Sequence, residues 1–584
     1  MPGARPSGSR GGGGARGSGG SRGSGRSGGS RKRGPRAVER RIGLLSAVFL
    51  LAFTIVLGRA VWLQAVQGSS LASQAVSQQS ELVEVPALRG QILDRRGGGL
   101  AVSEDAATVF ATPYQVEDHH RTAAQLGPLV GLPDEDVLEA LTADSGFSYI
   151  ARELDLASAQ RVEKLALPGI GLLPASRRTY PQGTLAAQVI GAVGSENQGL
   201  TGLEASEEET LRGTDGQRNV VHDALGEPIR LETITPAVDG ADIELTLDAA
   251  IQSRTEQILA EVAATYQPKS ATAIVMNPKD SELLAIANWP PMDPAEVGEA
   301  EPEQLVNGAT GFTYEPGSTF KAMTVAGAVE DGAVSPESSF TLAPTLQVAD
   351  REISESSPRG TETMSVAEIL ARSSNVGAVT IGQMLGERRF DRWVRRFGLG
   401  EPTGVRYPGE EQGIVPALED YSGASIGNLP IGQGLSVTPM QMAAAFSVIA
   451  GDGTLRTPRL VRSVGGEPIA TDPGRRVISP RTADQMREML EGVIGDGGTV
   501  TDVAVPGYEL AGKTGTSQVA EDGGYSETRY VASFIGFAPA ENPRLLAAVV
   551  VNEPQGDIYG GSVAAPAFGE IASFALPYLG VAPE

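Results

Sequence analysis

The stretch Glu315–Gly332 reads EPGSTFKAMTVAGAVEDG and places Ser318 three residues before Lys321, at the start of an alanine-rich run. This composition predicts a helix that ends near Gly332. Residues at positions i and i+3 share a helix face, so the Lys321 amine can reach the Ser318 hydroxyl. The positive end of the helix also favours negative charge that develops there. The pattern alone is weak, because an N-cap serine followed by a surface lysine fits it equally well.

The rest of the composition narrows the choice of a general base. The chain has no cysteine, so thiol chemistry is excluded, and its three histidines lack the i, i+4 spacing of a helical metal pair. We therefore predict no metal and no cofactor. Arginine stays protonated at any useful pH, whereas a buried lysine can become a neutral amine. Most basic residues of this chain are arginines. The few lysines, which are the candidates for a neutral amine base, are Lys32, Lys164, Lys269, Lys279, Lys321 and Lys513.

Charge and hydropathy divide the chain into an arm, an anchor and a body. Residues 1–41 are rich in Gly, Ser and Arg and carry a net charge of +10, which predicts a disordered basic arm. The arm fits a positive-inside topology signal or a tether to RNA or anionic lipid. Residues 42–66 are long and apolar enough to cross a bilayer, and they exceed the apolar region of a cleaved signal peptide. The N-terminus is then cytoplasmic, and the acidic body lies outside and repels nucleic acid.

The body divides into two regions near Pro236–Gly240. Residues 67–240 mix short β-like runs with a helix-like segment at Pro133–Ala143, which predicts an accessory domain. Residues 241–580 form the second domain, which opens with a strand and an amphipathic helix. Two pairs of apolar runs predict antiparallel hairpins, one at Ala271–Met276 with Leu283–Ala287 and the other at Tyr530–Phe537 with Leu545–Val551. The predicted fold class is α+β, an antiparallel sheet flanked by helices.

A second motif, GKTGTSQVA, begins at Gly512. Its Lys513 offers an ammonium, Thr514 and Thr516 offer hydroxyls that suit a carboxylate, and Gly515 has no side chain to block a ligand. The overlapping segment GYELAGKT at Gly507–Thr514 matches the phosphate-loop pattern. A phosphate loop needs a long helix that begins near its lysine, whereas Gly515 and the turn-like residues 521–524 interrupt one here. The sequence therefore disfavours nucleotide binding.

A third motif, Ser373-x-Asn375, lies between the other two. By itself it says little, because Ser195-x-Asn197 matches as well. The order and spacing of Ser-x-x-Lys, Ser-x-Asn and Lys-Thr-Gly carry the information. Together they resemble the active-site serine penicillin-recognising superfamily.

Within that superfamily the chain resembles the class B penicillin-binding proteins, and specifically the division-specific FtsI type. The resemblance rests on further segments of the accessory and second regions: LRGQILDRRGGGLAVS (Leu88–Ser103), RRTYPQGTLAAQVIG (Arg177–Gly191), GLTGLE (Gly199–Glu204), FGLGEPTGVRYPGE (from Phe397) and NLPIGQGLSVTPMQMAAAF (Asn428–Phe446). It implies one transmembrane helix, an elongated β-rich pedestal at residues 67–240 and a transpeptidase domain at residues 241–580.

The resemblance also implies a peptidoglycan D,D-transpeptidase mechanism. Ser318 would attack the penultimate D-Ala carbonyl of a stem peptide, and an amine of a neighbouring peptide would resolve the acyl-enzyme. Lys321 would be the base, Ser373 a proton shuttle, and Asn375 a holder of the substrate amide. The terminal carboxylate would bind at Lys513, Thr514 and Thr516, beside Gly515. The backbone amides of Ser318 and Thr516 would form the oxyanion hole.

Biological role and partners follow from the same resemblance. It implies septal cell-wall synthesis at the plasma membrane, inhibition by β-lactams, and partnership with a SEDS-type glycosyltransferase and other divisome proteins. No nucleic-acid partner is expected. Two alternatives stay open: an elongation-specific transpeptidase of the same class, and a non-catalytic penicillin-binding scaffold or sensor.

Overall fold

The computed structural model describes residues 36–67, 80–222, 228–521 and 524–583. The helices are α1 Arg36–Ala65, α2 His119–Val130, α3 Asp134–Leu141, α4 Leu156–Lys164, α5 Ala187–Ile190, α6 Gly202–Ser206, α7 Glu208–Leu211, α8 Ala249–Tyr266, α9 Pro302–Leu305, α10 Gly308–Gly311, α11 Lys321–Glu330, α12 Val366–Ala371, α13 Asn375–Leu385, α14 Glu387–Arg396, α15 Ser425–Asn428, α16 Pro439–Ala450, α17 Pro480–Glu491, α18 Gly560–Val563 and α19 Ala565–Tyr578.

The strands are slightly more numerous than the α-helices among the described residues. They are β1 Ser80–Val85, β2 Ile92–Leu93, β3 Gly99–Ala111, β4 Ser148–Asp155, β5 Ile170–Thr179, β6 Gly216–His222, β7 Pro228–Thr235, β8 Ile243–Leu245, β9 Ser270–Met276, β10 Leu283–Trp289, β11 Ser339–Leu342, β12 Thr345–Val348, β13 Arg351–Ser354, β14 Glu362–Ser365, β15 Thr454–Leu455, β16 Val461–Val464, β17 Glu467–Pro468, β18 Arg475–Arg476, β19 Ala511–Glu521, β20 Gly524–Ala538 and β21 Leu545–Asn552.

Helix α1 contains the apolar segment predicted as an anchor. The part from Arg40 to Ala65 is long and apolar enough to cross a membrane. The helix begins at Arg36, so residues 36–41 are helical where the sequence predicted a disordered arm. No proline or glycine separates these residues from the apolar run, so the helix extends into them. The predicted disorder of residues 1–35 concerns residues outside those described.

The accessory region is built around the long strand β3. This strand pairs antiparallel with β2 near its start and with β4 and β5 along its length. Helices α2, α3 and α4 bury Leu126, Leu141 and Val162 against the apolar side chains of these strands. The sequence predicted only α3. Strand β2 also pairs in parallel with β8, which pairs with β16, so one sheet continues across the predicted domain boundary.

A buried ion cluster joins three segments of the accessory region. The Glu204 carboxylate receives hydrogen bonds from Arg89 and, at 2.7 Å, from Arg178 Nε. All three side chains are at most 1% exposed. Arg178 also donates to the carbonyl of Gly90 at 2.8 Å. Each ionic residue comes from a different segment that carried the family resemblance, so the cluster gives those segments a structural role.

The second region is organised around a five-stranded antiparallel sheet in the order β10-β9-β21-β20-β19. Both hairpins predicted from the sequence are confirmed, β9 with β10 and β20 with β21. Alternate residues of β9 enter different cores, because successive side chains of a strand point to opposite faces. Ala273 and Val275 pack in a core with α8 and α19, whereas Ile274 and Met276 pack with α11 and α16. Helices therefore cover both faces, and β19 lies at an open edge.

Candidate active site

Ser318 lies on a 3₁₀ turn, Gly317–Phe320, and Lys321 is the first residue of α11. The predicted helix is thus present, but the serine precedes its α-helical part. A 3₁₀ turn has three residues per turn, so side chains at i and i+3 are eclipsed. The turn therefore holds Ser318 and Lys321 on one side more strictly than an α-helix does.

Neighbouring loops fix this turn. Gly317 has a φ of +53°, and its N–H donates to the Gly432 carbonyl at 3.1 Å. A Cβ at Gly432 would lie 2.2 Å from the Gly317 carbonyl oxygen, so this contact requires glycine. Just before the turn, the Glu315 carbonyl accepts from Ser517 Oγ at 2.7 Å, and the Glu315 carboxylate accepts from the Gly434 N–H at 2.9 Å. The turn is therefore tied to β19 and to the loop around residue 432.

Lys321 is fully buried and contacts the Ser-x-Asn motif. Its Nζ lies 2.6 Å from the Ser373 carbonyl oxygen, 3.1 Å from Ser373 Oγ and 2.6 Å from Asn375 Oδ1. Burial lowers the pKa of Lys321 to about 7, against the opposing charge of Glu355. Within residues 228–521 no hydrogen bond joins Nζ to the Ser318 hydroxyl, so proton transfer between them stays a prediction.

The geometry around Nζ suits both protonation states. A neutral amine has two protons and one lone pair. The Ser373 carbonyl and Asn375 Oδ1 only accept, so they take the two protons and leave the lone pair for the Ser373 hydroxyl. An ammonium donates to all three oxygens. Lys321 can therefore lose or gain a proton without rearranging its neighbours.

Backbone strain at Ser373 aims the motif at Lys321. Ser373 has a φ of +58°, a left-handed conformation that costs energy for a residue with a side chain. The next residue, Ser374, caps α13 and accepts from the Gly377 N–H at 3.0 Å. Asn375 is the first residue of that helix. The motif is thus the tight entry to α13, and the turn at Ser373 directs its oxygens to the Lys321 amine.

The third motif lies on the edge strand β19. Lys513 is fully buried, and its Nζ lies 3.3 Å from Thr514 Oγ1, which also contacts Thr499 Oγ1 at 2.9 Å. Burial, followed by repulsion from Lys321, lowers the pKa of Lys513 well below its usual value. The Thr516 hydroxyl accepts from the Gly560 N–H at 3.2 Å. Lys513 lies within strand β19 and does not begin a helix, so the segment is not a phosphate loop.

Gly515 and Thr516 bring β19 against the Ser318 turn. A Cβ at Gly515 would lie 2.4 Å from Ser533 Oγ and 2.9 Å from the Pro316 carbonyl oxygen, so close packing requires glycine there. A Cβ at Gly317 would lie 3.2 Å from the Thr516 carbonyl oxygen, which places that carbonyl on the turn side of the strand. The N–H and C=O of one strand residue point the same way, so the Thr516 N–H also faces the turn.

The sequence analysis missed Glu355. This residue follows β13, its side chain is 8% exposed, and its carboxylate contacts Ser374 and the Asn375 N–H. No periodicity or motif marks it in the sequence, since it lies in a polar loop and reaches α13 only through the tertiary fold. The residues that the sequence did predict for the site lie around Lys321 and along β19, the edge strand.

Comparison with known proteins identifies the family. The model of the penicillin-binding protein transpeptidase domain matches residues 271–573, and that of the penicillin-binding protein dimerisation domain matches residues 84–245. The chain belongs to the class B penicillin-binding proteins. Its three motifs all lie within the transpeptidase match, and the ion cluster lies within the dimerisation match.

Individual class B penicillin-binding proteins are similar over most of their length. Stage V sporulation protein D of Bacillus subtilis is 35% identical, over 94% of this chain and 87% of that protein. Peptidoglycan D,D-transpeptidase FtsI of Escherichia coli is 32% identical, over 94% and 93%. Penicillin-binding protein 3 of Mycobacterium tuberculosis, solved in complex with aztreonam, is 30% identical with a TM-score of 0.69, over 86% of this chain and 98% of that one.

Proposed function

We propose that this protein is a peptidoglycan D,D-transpeptidase that acts through a covalent ester on Ser318. One observation carries the proposal. Lys321 is fully buried, has a pKa of about 7, and contacts both Ser373 and Asn375 one helical turn from Ser318. A lysine with this pKa is a neutral base for a large fraction of the time near neutral pH. The names of the relatives agree with this reaction class.

In the acylation step, Ser318 Oγ attacks the carbonyl carbon of the penultimate D-Ala, and its proton passes to the Lys321 amine. The backbone N–H groups of Ser318 and Thr516 stabilise the resulting oxyanion. The C–N bond then breaks, and Lys321 returns the proton to the departing D-Ala amine through the Ser373 hydroxyl. The Asn375 amide holds the substrate, because Nδ2 uses one proton on the Ser354 carbonyl and keeps a second proton to donate.

In the transfer step, an amine of a neighbouring stem peptide attacks the ester carbon. Lys321 takes the proton of that amine and delivers it to Ser318 Oγ as the C–O bond breaks, so a new peptide bond forms and the enzyme is regenerated. A β-lactam enters by the same acylation step, and its opened ring stays attached.

The terminal carboxylate of the substrate binds at β19. Thr514 and Thr516 offer hydroxyls on one face of the strand, and Lys513 reaches Thr514 from the other. Burial disfavours the Lys513 ammonium, but an incoming carboxylate supplies the opposite charge and raises the pKa of Lys513 again. Lys513 is therefore protonated when a substrate carboxylate is bound next to it.

Covalent labelling with a fluorescent penicillin tests the nucleophile. Wild-type membranes should show one labelled band of this mass, and Ser318→Ala should abolish it without loss of fold, because the change removes one hydroxyl and leaves no large cavity. Ser195→Ala, in the Ser-x-Asn match outside the site, is the control and should label normally. Stoichiometric labelling of Ser318→Ala would refute the assignment.

Exchange chemistry separates an enzyme from a non-catalytic sensor. A transpeptidase should exchange the terminal D-Ala of a synthetic stem peptide for a labelled free D-amino acid, and Ser318→Ala should not. Acylation by penicillin without any exchange would favour the scaffold or sensor.

We further propose a septal role, on the plasma membrane, with the N-terminus cytoplasmic. The likeness of Asn428–Phe446 to division-type relatives and the spanning length of α1 support it. A SEDS-type glycosyltransferase and other divisome proteins would be its partners. Depletion should then produce filamentous cells, observed by microscopy. Round or bulging cells would instead support the elongation alternative.

A further inference from the structure

The loop after β13 holds the start of α13 through one carboxylate. Glu355 Oε1 accepts from Ser374 Oγ at 2.6 Å, and Oε2 accepts from the Asn375 backbone N–H at 2.6 Å. The preceding residue adds a third link, because the Ser354 carbonyl accepts from Asn375 Nδ2 at 2.9 Å. Both the backbone and the side chain of Asn375 are therefore fixed by two successive residues, the last residue of β13 and the first residue of the loop.

Arg359 in turn holds Glu355. Its Nη2 and Nε lie 2.6 and 3.2 Å from Glu355 Oε1, and its Nη1 donates to the Leu342 carbonyl at 3.0 Å. Burial raises the pKa of Glu355, but the hydrogen bonds from Ser374 and Arg359 outweigh it and hold that pKa below its usual value. The carboxylate is thus ionised near neutral pH, anchored on one side and bonded to the Ser-x-Asn motif on the other.

We propose that Glu355 is a positioning residue for the transpeptidase site, which holds Ser374 and Asn375 so that Ser373 and Asn375 stay aligned on Lys321. The inference rests on the proposed function. Asn375 Oδ1 contacts Lys321 Nζ only while the first turn of α13 stays in place. The Glu355 carboxylate is bonded to that turn, at Ser374 and at the Asn375 N–H, and within residues 228–521 it makes no hydrogen bond to Ser318.

The same carboxylate affects the charge on Lys321. Three other charged groups face this pair from their own elements: Lys513 on β19, Arg359 on the loop itself and Arg372 after α12. Burial lowers the pKa of Lys321, and Glu355 is the negative charge that opposes this effect. Removing that charge lowers the pKa further, so the neutral base persists to lower pH.

The test is the second-order rate of acylation by one penicillin, measured against pH on purified full-length protein. This rate reports the ionisation of the free enzyme. For wild type it should fall as pH drops through about 7, because Lys321 becomes protonated. Failure of wild type to acylate at Ser318 would refute the proposed function itself, so the two failures are distinguishable.

Glu355→Gln should change both features of the profile. The Ser374 hydroxyl and the Asn375 N–H both donate to Glu355, and the NH₂ group of a glutamine cannot accept from either of them. One of these bonds is therefore lost, the start of α13 is held less well, and the plateau rate should fall by roughly 10- to 100-fold. The acidic limb should also move to lower pH, by about half a unit or more. Glu355→Asp keeps the charge but is one methylene shorter, so its plateau should fall while its limb stays at the wild-type pH. Glu352→Gln removes an exposed charge from β13, three residues before Glu355, and should match wild type.

The pH of the acidic limb in the rate profile is the deciding measurement. A residue with a purely structural role would lower thermal stability without changing the pH at which the rate falls. A Glu355→Gln limb at or above the wild-type pH would overturn the proposal, and so would an equal shift in Glu352→Gln. A plateau within about twofold of wild type in both Glu355 variants would do the same. If Glu355→Gln does not fold, the Asp variant decides through its plateau.

Discussion

The site contains two buried lysines, Lys321 and Lys513, which differ in their hydrogen-bond partners. Both are fully buried, and burial is the largest cause of the low pKa of each. The structure gives complete burial as the main cause, and it shows that repulsion between the two amines lowers the pKa of Lys513. Lys321 Nζ hydrogen-bonds with Ser373 and Asn375, whereas among the described residues Lys513 Nζ hydrogen-bonds only with Thr514.

Exchanging each lysine for arginine should separate these tasks. Arginine cannot act as a neutral base, so Lys321→Arg should lower the acylation rate by roughly 10²- to 10⁴-fold. Lys513→Arg keeps a positive charge for the carboxylate, and the loss there should be about 10-fold, from bulk in a buried position. The measurement is the second-order acylation rate with one penicillin, with a thermal melt to confirm folding.

Lys279→Arg is the matched control, because Lys279 is exposed and contacts Asn542 far along the chain from the motifs. It should acylate at the wild-type rate. If Lys321→Arg acylates as fast as Lys513→Arg or faster, the roles of base and carboxylate holder are assigned wrongly.

Among the elements, the 3₁₀ turn that carries Ser318 is held by a loop distant in sequence. Gly432 and Gly434 lie two residues apart and have φ values of +77° and +79°. They differ in their surroundings. A Cβ at Gly432 would overlap the Gly317 carbonyl, whereas the nearest atom to a Cβ at Gly434 is 3.7 Å away. The pair therefore separates backbone strain from displacement of the turn.

Alanine at each position should give different results. Gly434→Ala adds only left-handed strain, about 1–2 kcal/mol of stability, with little change in acylation. Gly432→Ala adds the same strain and also pushes Gly317 away, so acylation should fall by roughly 10²-fold for a displacement near 1 Å. Acylation rates and denaturant melts of both variants check this. Equal rates in the two variants would mean that the Gly432 contact does not position Ser318.

At the scale of the whole chain, the Arg89–Glu204–Arg178 cluster connects segments more than a hundred residues apart. Glu204 receives one hydrogen bond from each guanidinium in a site without solvent. Such a cluster is weak evidence of net stabilisation, because desolvation offsets attraction. Breaking it is costly, since Arg178 would stay buried without a carboxylate partner and Arg89 would keep only its ion pair with Glu208.

Glu204→Gln should therefore lower the free energy of unfolding by about 3–5 kcal/mol. The exposed pair of Arg177 and Glu104 supplies the control, because Glu104→Gln should cost less than about 1 kcal/mol. Denaturant unfolding of both variants is the measurement. A loss for Glu204→Gln no greater than that of Glu104→Gln would show that the cluster does not stabilise the accessory region.

The features that depend on local spacing could be predicted from the amino-acid sequence alone. Apolar length predicted a helix long enough to cross a membrane, pairs of apolar runs predicted the hairpins of β9 with β10 and β20 with β21, and the three-residue spacing predicted Ser318 and Lys321 on one side of a helical segment. These predictions agree with the structure because each depends on a few neighbouring residues. The position of Gly515 likewise argued against a phosphate loop, and Lys513 lies within a strand.

The contacts between the motifs could not be predicted in this way, because they form between segments that are distant in sequence. Lys321 reaches Asn375 across fifty-four positions, and Glu355 reaches Asn375 across twenty, from a loop that no pattern marks. The pKa of Lys321 depends on complete burial, which no local spacing specifies. Position 515 requires glycine because Ser533 and Pro316, from other parts of the chain, pack where a Cβ would lie. Contacts between segments distant in sequence, and the exclusion of water that they produce, exist only once the chain is folded.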